Sequence, residues 1–326
     1  MADLGIRIHN RWDLGQKIAE GGFGAVYTGT DIHTGEEVAV KMMAMDEHLR
    51  GRRGNLEAEA RALAGVAGTT RGGKRGIPRV LWHGQECEYY VLVTEILGPS
   101  LDDLQQYCGG KLSMKTVLMI ADQAIARLQT IHNSGWLHRD IKPHNFLLGT
   151  GKSGNTMYAI DMGLAMKWTR ARESHRRTPN AKREFVGTPD FASLNSHKGK
   201  ELSYRDDLES LGYMLMLLHT AELPWSPLDE STSWDTERIE KKKEEISIEE
   251  LCGNFPRAFR LYFKYIQTLG FYDKPDYGRC RRYFRQALKE MGARNDNVFD
   301  WTERMWNELY PPTQSEPEEG DETEDG

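Results

Sequence analysis

The sequence predicts an α+β fold in two lobes, a small lobe of mostly antiparallel strands with one main helix and a larger, mainly helical lobe. Three observations lead there. The strand-like patterns lie at 12–18, 21–27, 37–42 and 89–95 with a single helical stretch among them, and the pattern becomes helical from Leu101 onward, so strands largely precede helices instead of alternating with them. The 326 residues exceed a typical domain of about 100–200, which leaves room for two packed lobes. Finally, a polar run, His138-Arg139-Asp140-Ile141-Lys142-Pro143-His144-Asn145, interrupts two apolar stretches, as a loop carried between packed elements does. The expected boundaries are an N-terminal extension at 1–11, a domain at 12–310 and an acidic disordered tail at 311–326. Within the domain, the small lobe covers about 12–95, the hinge about 95–99 and the large lobe about 100–310.

The polar run carries chemistry. In-line phosphoryl transfer needs a carboxylate to orient the incoming hydroxyl, a cation near the moving phosphoryl group and an amide oxygen that helps hold magnesium. Asp140, Lys142 and Asn145 supply these within one short loop, and with His138 and Arg139 they resemble the catalytic loop of protein kinases. The bland alternative is a solvated charged loop.

Taken in order, residues 12–18, 21–27 and 37–42 read as three strands, with a turn at His33-Thr34-Gly35 between the last two. Gly21, Gly22 and Gly24 sit at the first hairpin, where a kinase covers nucleotide phosphates with backbone amides. Lys41 ends the third strand, the context of a phosphate-orienting lysine. Residues 56–63 are rich in helix formers and offer two acids to pair with it. Glu59 is preferred to Glu57, because Leu56 and Leu63 then take the apolar places around the pairing acid. Residues 68–76 form a basic, glycine-rich loop. The apolar run at 89–95 is a buried strand leading into the hinge, with Thr94 behind the adenine site and Glu95 to Leu97 offering backbone hydrogen bonds.

In the second lobe, the near-continuous apolar pattern of 114–132 predicts a buried helix ended by Gly135. A short strand at 157–160 delivers Asp161-Met162-Gly163, where a kinase aspartate chelates magnesium. Residues 168–185 are strongly basic and read either as a solvated charge run or as a surface for acidic peptide, the chain's own acidic tail included. Residues 234–250 predict a charged, solvated helix. Helical patterning continues to 285 with Phe255, Phe259, Tyr262, Phe263 and Ile266 as core.

Further motifs narrow the likeness. Leu97-Gly98-Pro99-Ser100-Leu101, Phe191-Ala192-Ser193-Leu194-Asn195, the run from Tyr204 through Asp207 to Tyr213, Leu223-Pro224-Trp225 and Asp273-Lys274-Pro275-Asp276-Tyr277 closely resemble the casein kinase 1 family over residues 12–301, with tau-tubulin and vaccinia-related kinases as cousins. The resemblance implies a serine/threonine kinase using ATP and Mg2+. Asp140, Lys142, Lys41 and Glu59 would be the catalytic group, Asn145 and Asp161 the metal ligands, and Asp207 a buried acid bonded to the backbone of the catalytic loop. The nucleotide would lie among Ile18, Ala19, Gly21, Gly22, Gly24, Val26, Ala39, Lys41, Thr94, Glu95, Leu97, Leu147 and Ile160. A nucleotide-binding pseudokinase scaffold is the alternative.

Several positions depart from the family. Ala19 stands for the first loop glycine, Met162 for phenylalanine, His144 for aspartate and Ser226 for glutamine. Pro189-Asp190 replaces an Ala-Arg pair whose arginine serves an anion pocket, so a carboxylate there is expected to weaken selection of pre-phosphorylated substrates. Composition bounds the rest. The four cysteines show no metal-ligand spacing, and no apolar run is long enough for a membrane span. Without the seven acids of the last twelve residues, 42 acidic residues face 43 basic ones. Whole-chain charge therefore says little about partners; the partners expected are protein substrates bearing serine or threonine, in an acidic context if any, with no nucleic acid or membrane. A monomer in the cytoplasm or nucleus is expected.

Overall fold

The computed structural model describes residues 5–21, 24–45, 56–67, 76–168, 183–226 and 235–311. Gly22, the basic run 169–182, most of the loop at 68–76 and the acidic tail lie outside them. The small lobe contains β1 (Arg7–Ile8), β2 (Trp12–Gly21), β3 (Gly24–Asp31), β4 (Glu37–Ala44), α1 (Leu56–Ala67), β5 (Val80–Glu86) and β6 (Tyr89–Glu95). Its strands form one antiparallel sheet in the order β1-β2-β3-β4-β6-β5. Strand β1 falls within the stretch read as an extension, yet it pairs Ile8 with Trp12 and joins the sheet. Strand period explains where Lys41 points. Val38 and Val40 join Val91 and Val93 in an apolar cluster on one face. Ala39 and Lys41, out of phase by one residue, take the other face, on which Leu92 packs with Leu56 and Leu63 of α1.

The large lobe contains α2 (Leu101–Tyr107), α3 (Met114–Asn133), β7 (Trp136–Leu137), β8 (Phe146–Leu148), β9 (Met157–Ala159), β10 (Met166–Lys167), α4 (Leu194–His197), α5 (Tyr204–Thr220), α6 (Thr236–Glu245), α7 (Ile248–Leu251), α8 (Arg257–Gln267), α9 (Tyr277–Glu290) and α10 (Asp300–Leu309). Together the lobes make the bilobal α+β fold that the sequence predicts. Helix α3 is its spine, fully buried at Val117, Ile120, Ala124, Leu128 and Ile131 and packed against α5 and α9. Its one buried acid, Asp122, is gripped in pairs of hydrogen bonds by Arg281 and Arg285, which stand one turn apart on α9. Gly135 stops α3 in the left-handed region at φ 77° and turns the chain toward the loop at 138–145.

The charged stretch 234–250 departs from its reading in two ways. It is broken, because Ser247 forms a capping box with Glu250 and starts α7 afresh. Nor is α6 wholly solvated, since Ile239 and Lys243 are both buried, the lysine only 6% exposed. These two are four residues apart and therefore share the inward face.

Candidate active site

Small-lobe groups meet the large lobe at Lys41. Its Nζ lies 2.7 Å from Glu59 Oε2 and 3.2 Å from Asp161 Oδ1. Glu59 reaches it because α1 packs its Leu56 and Leu63 against the core, which turns the buried Glu59 inward. Glu57 instead pairs with Arg61 on the helix's outer side. Burial works against the Lys41 charge, but Glu59 and Asp161 more than offset it and hold its pKa above the ordinary lysine value. The Glu59 carboxyl is pushed up to about 7 by burial, with Lys41 pulling it back. Asp161 is opposed by burial too, yet Lys41 brings it below the usual carboxylate range. Its backbone is left-handed at φ 58°, and its own Oδ1 accepts the Gly163 amide at 3.4 Å across that turn.

On the other side, the loop at 138–145 hangs from a buried carboxylate. Asp207 of α5 accepts the amides of His138 and Arg139 at 2.8 Å each and pairs with His132 Nε2 at 2.8 Å. Tyr277 stands 2.7 Å from the far nitrogen of that imidazole. Burial opposes the Asp207 charge, but His132 and the loop amides bring its pKa below the ordinary range. An acid so surrounded is fixed, and with it the loop backbone, including Arg139 at φ 69°. His138 adds a contact from Nε2 to Ile160 O at 2.9 Å, joining the loop to the strand that delivers Asp161.

Asp140 is the focus of this side. Its Oδ2 lies 2.8 Å from Lys142 Nζ and 3.3 Å from Asn145 Nδ2, which also donates to the Asp140 carbonyl at 2.8 Å. Oδ1 accepts from Thr188 Oγ1 at 2.7 Å. Thr188 was no candidate in the sequence, being 48 residues from its partner. Gly187 before it has φ 107°, and a Cβ there would meet Arg139 O at 2.8 Å, so the two loops touch backbone to backbone. A family model for the protein kinase domain matches residues 12–261. The chain belongs to the protein kinase family.

Protein kinase domains as a rule use ATP and Mg2+, and the residues of this kinase fit both. Asn145 commits its nitrogen to Asp140, which leaves an amide oxygen to offer, and Asp161 adds a carboxylate. These are the hard oxygen donors that magnesium takes in ones and twos alongside phosphate. The Ile160 amide donates to Asn145 O at 3.0 Å, so both donors leave one ribbon side by side. For the nucleotide, Val26 pairs across the ladder with Lys41, and Ala39 with Thr94. These residues, Leu97, Leu147 and Ile160 are half-buried, as cleft walls are. The hinge is stitched to β8 by Gly98 N to Leu148 O at 2.8 Å and by a bridge from Ser100 to Leu147. Glu95 is occupied, its side chain accepting the Arg79 amide at 2.7 Å.

At the glycine hairpin, Ala19 pairs with Val26 and Gly21 with Gly24, and Ile18 is exposed beside them. Gly24 has φ 111° and backs onto the Met42 carbonyl, so no side chain fits there. Met162 is buried in the main core. His144 points to solvent, its Nε2 3.4 Å from Asp102 Oδ2.

Asp190 differs from its reading as a carboxylate presented to substrate. It is only 7% exposed, and its Oδ1 has no hydrogen-bond partner among the described residues. Burial raises its pKa against the pull of Lys243 and Arg238. Proximity of those two cations depends on how α6 folds back, which local sequence does not encode.

Proposed function

We propose that this chain is an active serine/threonine protein kinase that transfers the ATP γ-phosphoryl group to protein hydroxyls, with casein kinase 1-like character. The observation that carries the reading is the convergence on Asp140. One carboxylate oxygen meets Lys142 and Asn145 while the other meets the floor residue Thr188, all within 3.3 Å. A pseudokinase has no need of that arrangement, nor of the Lys41–Glu59–Asp161 triad assembled from three elements.

In this reading Asp140 accepts a hydrogen bond from the substrate hydroxyl, orients it in line with the phosphoryl group and takes its proton late in the step. Lys142 balances charge beside Asp140, and Lys41, held by Glu59, directs the nucleotide's phosphates. Asn145 and Asp161 would hold magnesium, which supplies charge neutralisation at the phosphates when bound. The choice of serine and threonine over tyrosine follows the casein kinase 1 resemblance of residues 191–195 and 204–213.

Weak selection for pre-phosphorylated substrates remains part of the proposal, for a changed reason. The cations nearest Asp190 are spent inside the protein, Lys243 on the Pro189 and Ala192 carbonyls and Arg238 on the Trp225 carbonyl. Neither is free to receive a phosphate. A peptide array in which phosphoserine three residues upstream strongly raised turnover would contradict this. The activity itself is tested with purified protein, labelled ATP, magnesium and casein beside Asp140→Asn. Transfer is expected to fall by about a hundred-fold or more in the variant, and equal transfer by both would sink the reading.

A further inference from the structure

Helix α6 is charged along its whole length, yet one of its lysines is among the most enclosed polar residues of the molecule. Lys243 Nζ donates to Pro189 O at 3.0 Å and to Ala192 O at 2.6 Å. It lies 4.8 Å from the ring centroids of both Tyr213 and Trp225, close enough for each ring face to attract the cation. Glu209 and Asp190 are the acids whose fields reach it. His197 Nε2 is 3.3 Å away, and burial together with Lys243 pushes that imidazole down to about 4, so it stays neutral and adds no second charge.

The carbonyls Lys243 holds belong to one tight turn. Thr188 O accepts the amides of Phe191 at 3.1 Å and Ala192 at 2.9 Å, and Trp225 Nε1 donates to Asp190 O at 2.9 Å. Carbonyls 189, 190 and 192 thus all point back into the large lobe and onto side-chain donors. The residue that opens the turn, Thr188, is the one bonded to Asp140. Beyond the turn, α5 grips the next residues, with Glu209 accepting the Leu194 amide and Asp206 accepting from Ser193 and Asn195.

We propose that Lys243 is a positioning residue of the kinase, a buried lysine whose N–H donors clamp the 188–192 turn from behind and thereby set Thr188 against Asp140 and the floor on which substrate peptide lies. The inference rests on the kinase reading above for its effect on turnover, but the clamp itself is a property of the fold. It separates two jobs within the site. Nucleotide is held from the small lobe and the metal ribbon, while the peptide floor is held from α6.

Lys243→Met keeps the apolar stem and removes the donors. In that variant the amides of Phe191 and Ala192 should exchange with solvent about ten-fold faster, and peptide kcat/KM should fall about ten-fold while KM for ATP stays within about two-fold. Lys243→Arg, which restores a cation and donors, should recover part of both effects. Trp225→Phe removes the bond to Asp190 O and leaves a smaller ring beside Lys243, and it should shift the same amides in the same direction by less. It decides the matter if the methionine variant does not fold. Unchanged exchange at 191 and 192 in a folded variant overturns the clamp, as does a parallel loss of peptide and ATP parameters. If the parent protein transfers no phosphate, the kinase reading falls, and the exchange result alone decides the clamp.

Discussion

Lys41 faces two carboxylates, at 2.7 and 3.2 Å, whereas Lys243 faces two carbonyl oxygens, at 3.0 and 2.6 Å, and two aromatic rings. Both are withdrawn from water. Burial lowers the pKa of each, but full counter-charges in direct contact carry Lys41 above the ordinary lysine value, while Lys243, whose acids act from farther off, is drawn down to about 7. Dipoles and ring faces solvate a cation less completely than a carboxylate does. The difference suits two roles. Lys41 presents a permanent charge toward phosphates, and Lys243 offers directed N–H bonds to a backbone turn.

That contrast can be broken at Lys41 first. Lys41→Met should lower kcat/KM for phosphoryl transfer by about a hundred-fold or more through loss of charge stabilisation, while leaving amide exchange at 191 and 192 as in the parent. Faster exchange there would mean that the two lysines serve one coupled structure. A smaller effect is expected one step removed. Glu59→Gln leaves Lys41 its contact with Asp161 and should reduce turnover about ten-fold, whereas Glu57→Gln, at an acid that pairs with Arg61 on the outer side of α1 and does not contact Lys41 in the ion pairs of the site, should leave turnover near the parent's.

The smallest effect concerns stability against pH. Lys243 has a folded pKa of about 7 against an ordinary 10.5. Between these values the unfolded chain binds a proton that the folded one does not, so stability rises with pH from about 7 upward. Cys252 and Cys280, buried and raised from 9.0 to about 12, oppose it above pH 9 because they keep their protons only when folded. Urea midpoints compared at pH 7 and 9 should therefore rise more for the parent than for Lys243→Met. Lys41 has the opposite sign, its raised pKa favouring the folded state until pH passes that value, so Lys41→Met should not remove the rise.

Legibility in the sequence followed how local each role is. Asp140, Lys142 and Asn145 lie within six residues and announce themselves by spacing, while Lys41 sits in a strand and Asp161 just after one, each strand with a readable pattern. Glu59 was separable from Glu57 because helix period links a side chain's direction to apolar neighbours on the same helix. Thr188 and Lys243 had no such local mark. Their partners stand 48 and 51 to 54 residues away, and within α6 the only hint was the lone apolar Ile239, four residues before Lys243 on the same face. Likewise His132 reads as the end of a buried helix, and only the fold sets it between Asp207 and Tyr277.

By itself, the sequence determined the order of strands and helices, the two-lobed α+β fold and the chemical identities gathered in the loop at 138–145, because backbone period, turn residues and motif spacing act over a few residues. Only the tertiary structure decided which charges are compensated. It buried Asp190 near Lys243 and Arg238, turned one lysine of a charged helix inward and brought a threonine hydroxyl to Asp140. Desolvation and counter-charge depend on what distant segments bring within a few ångströms, and no local pattern carries that information.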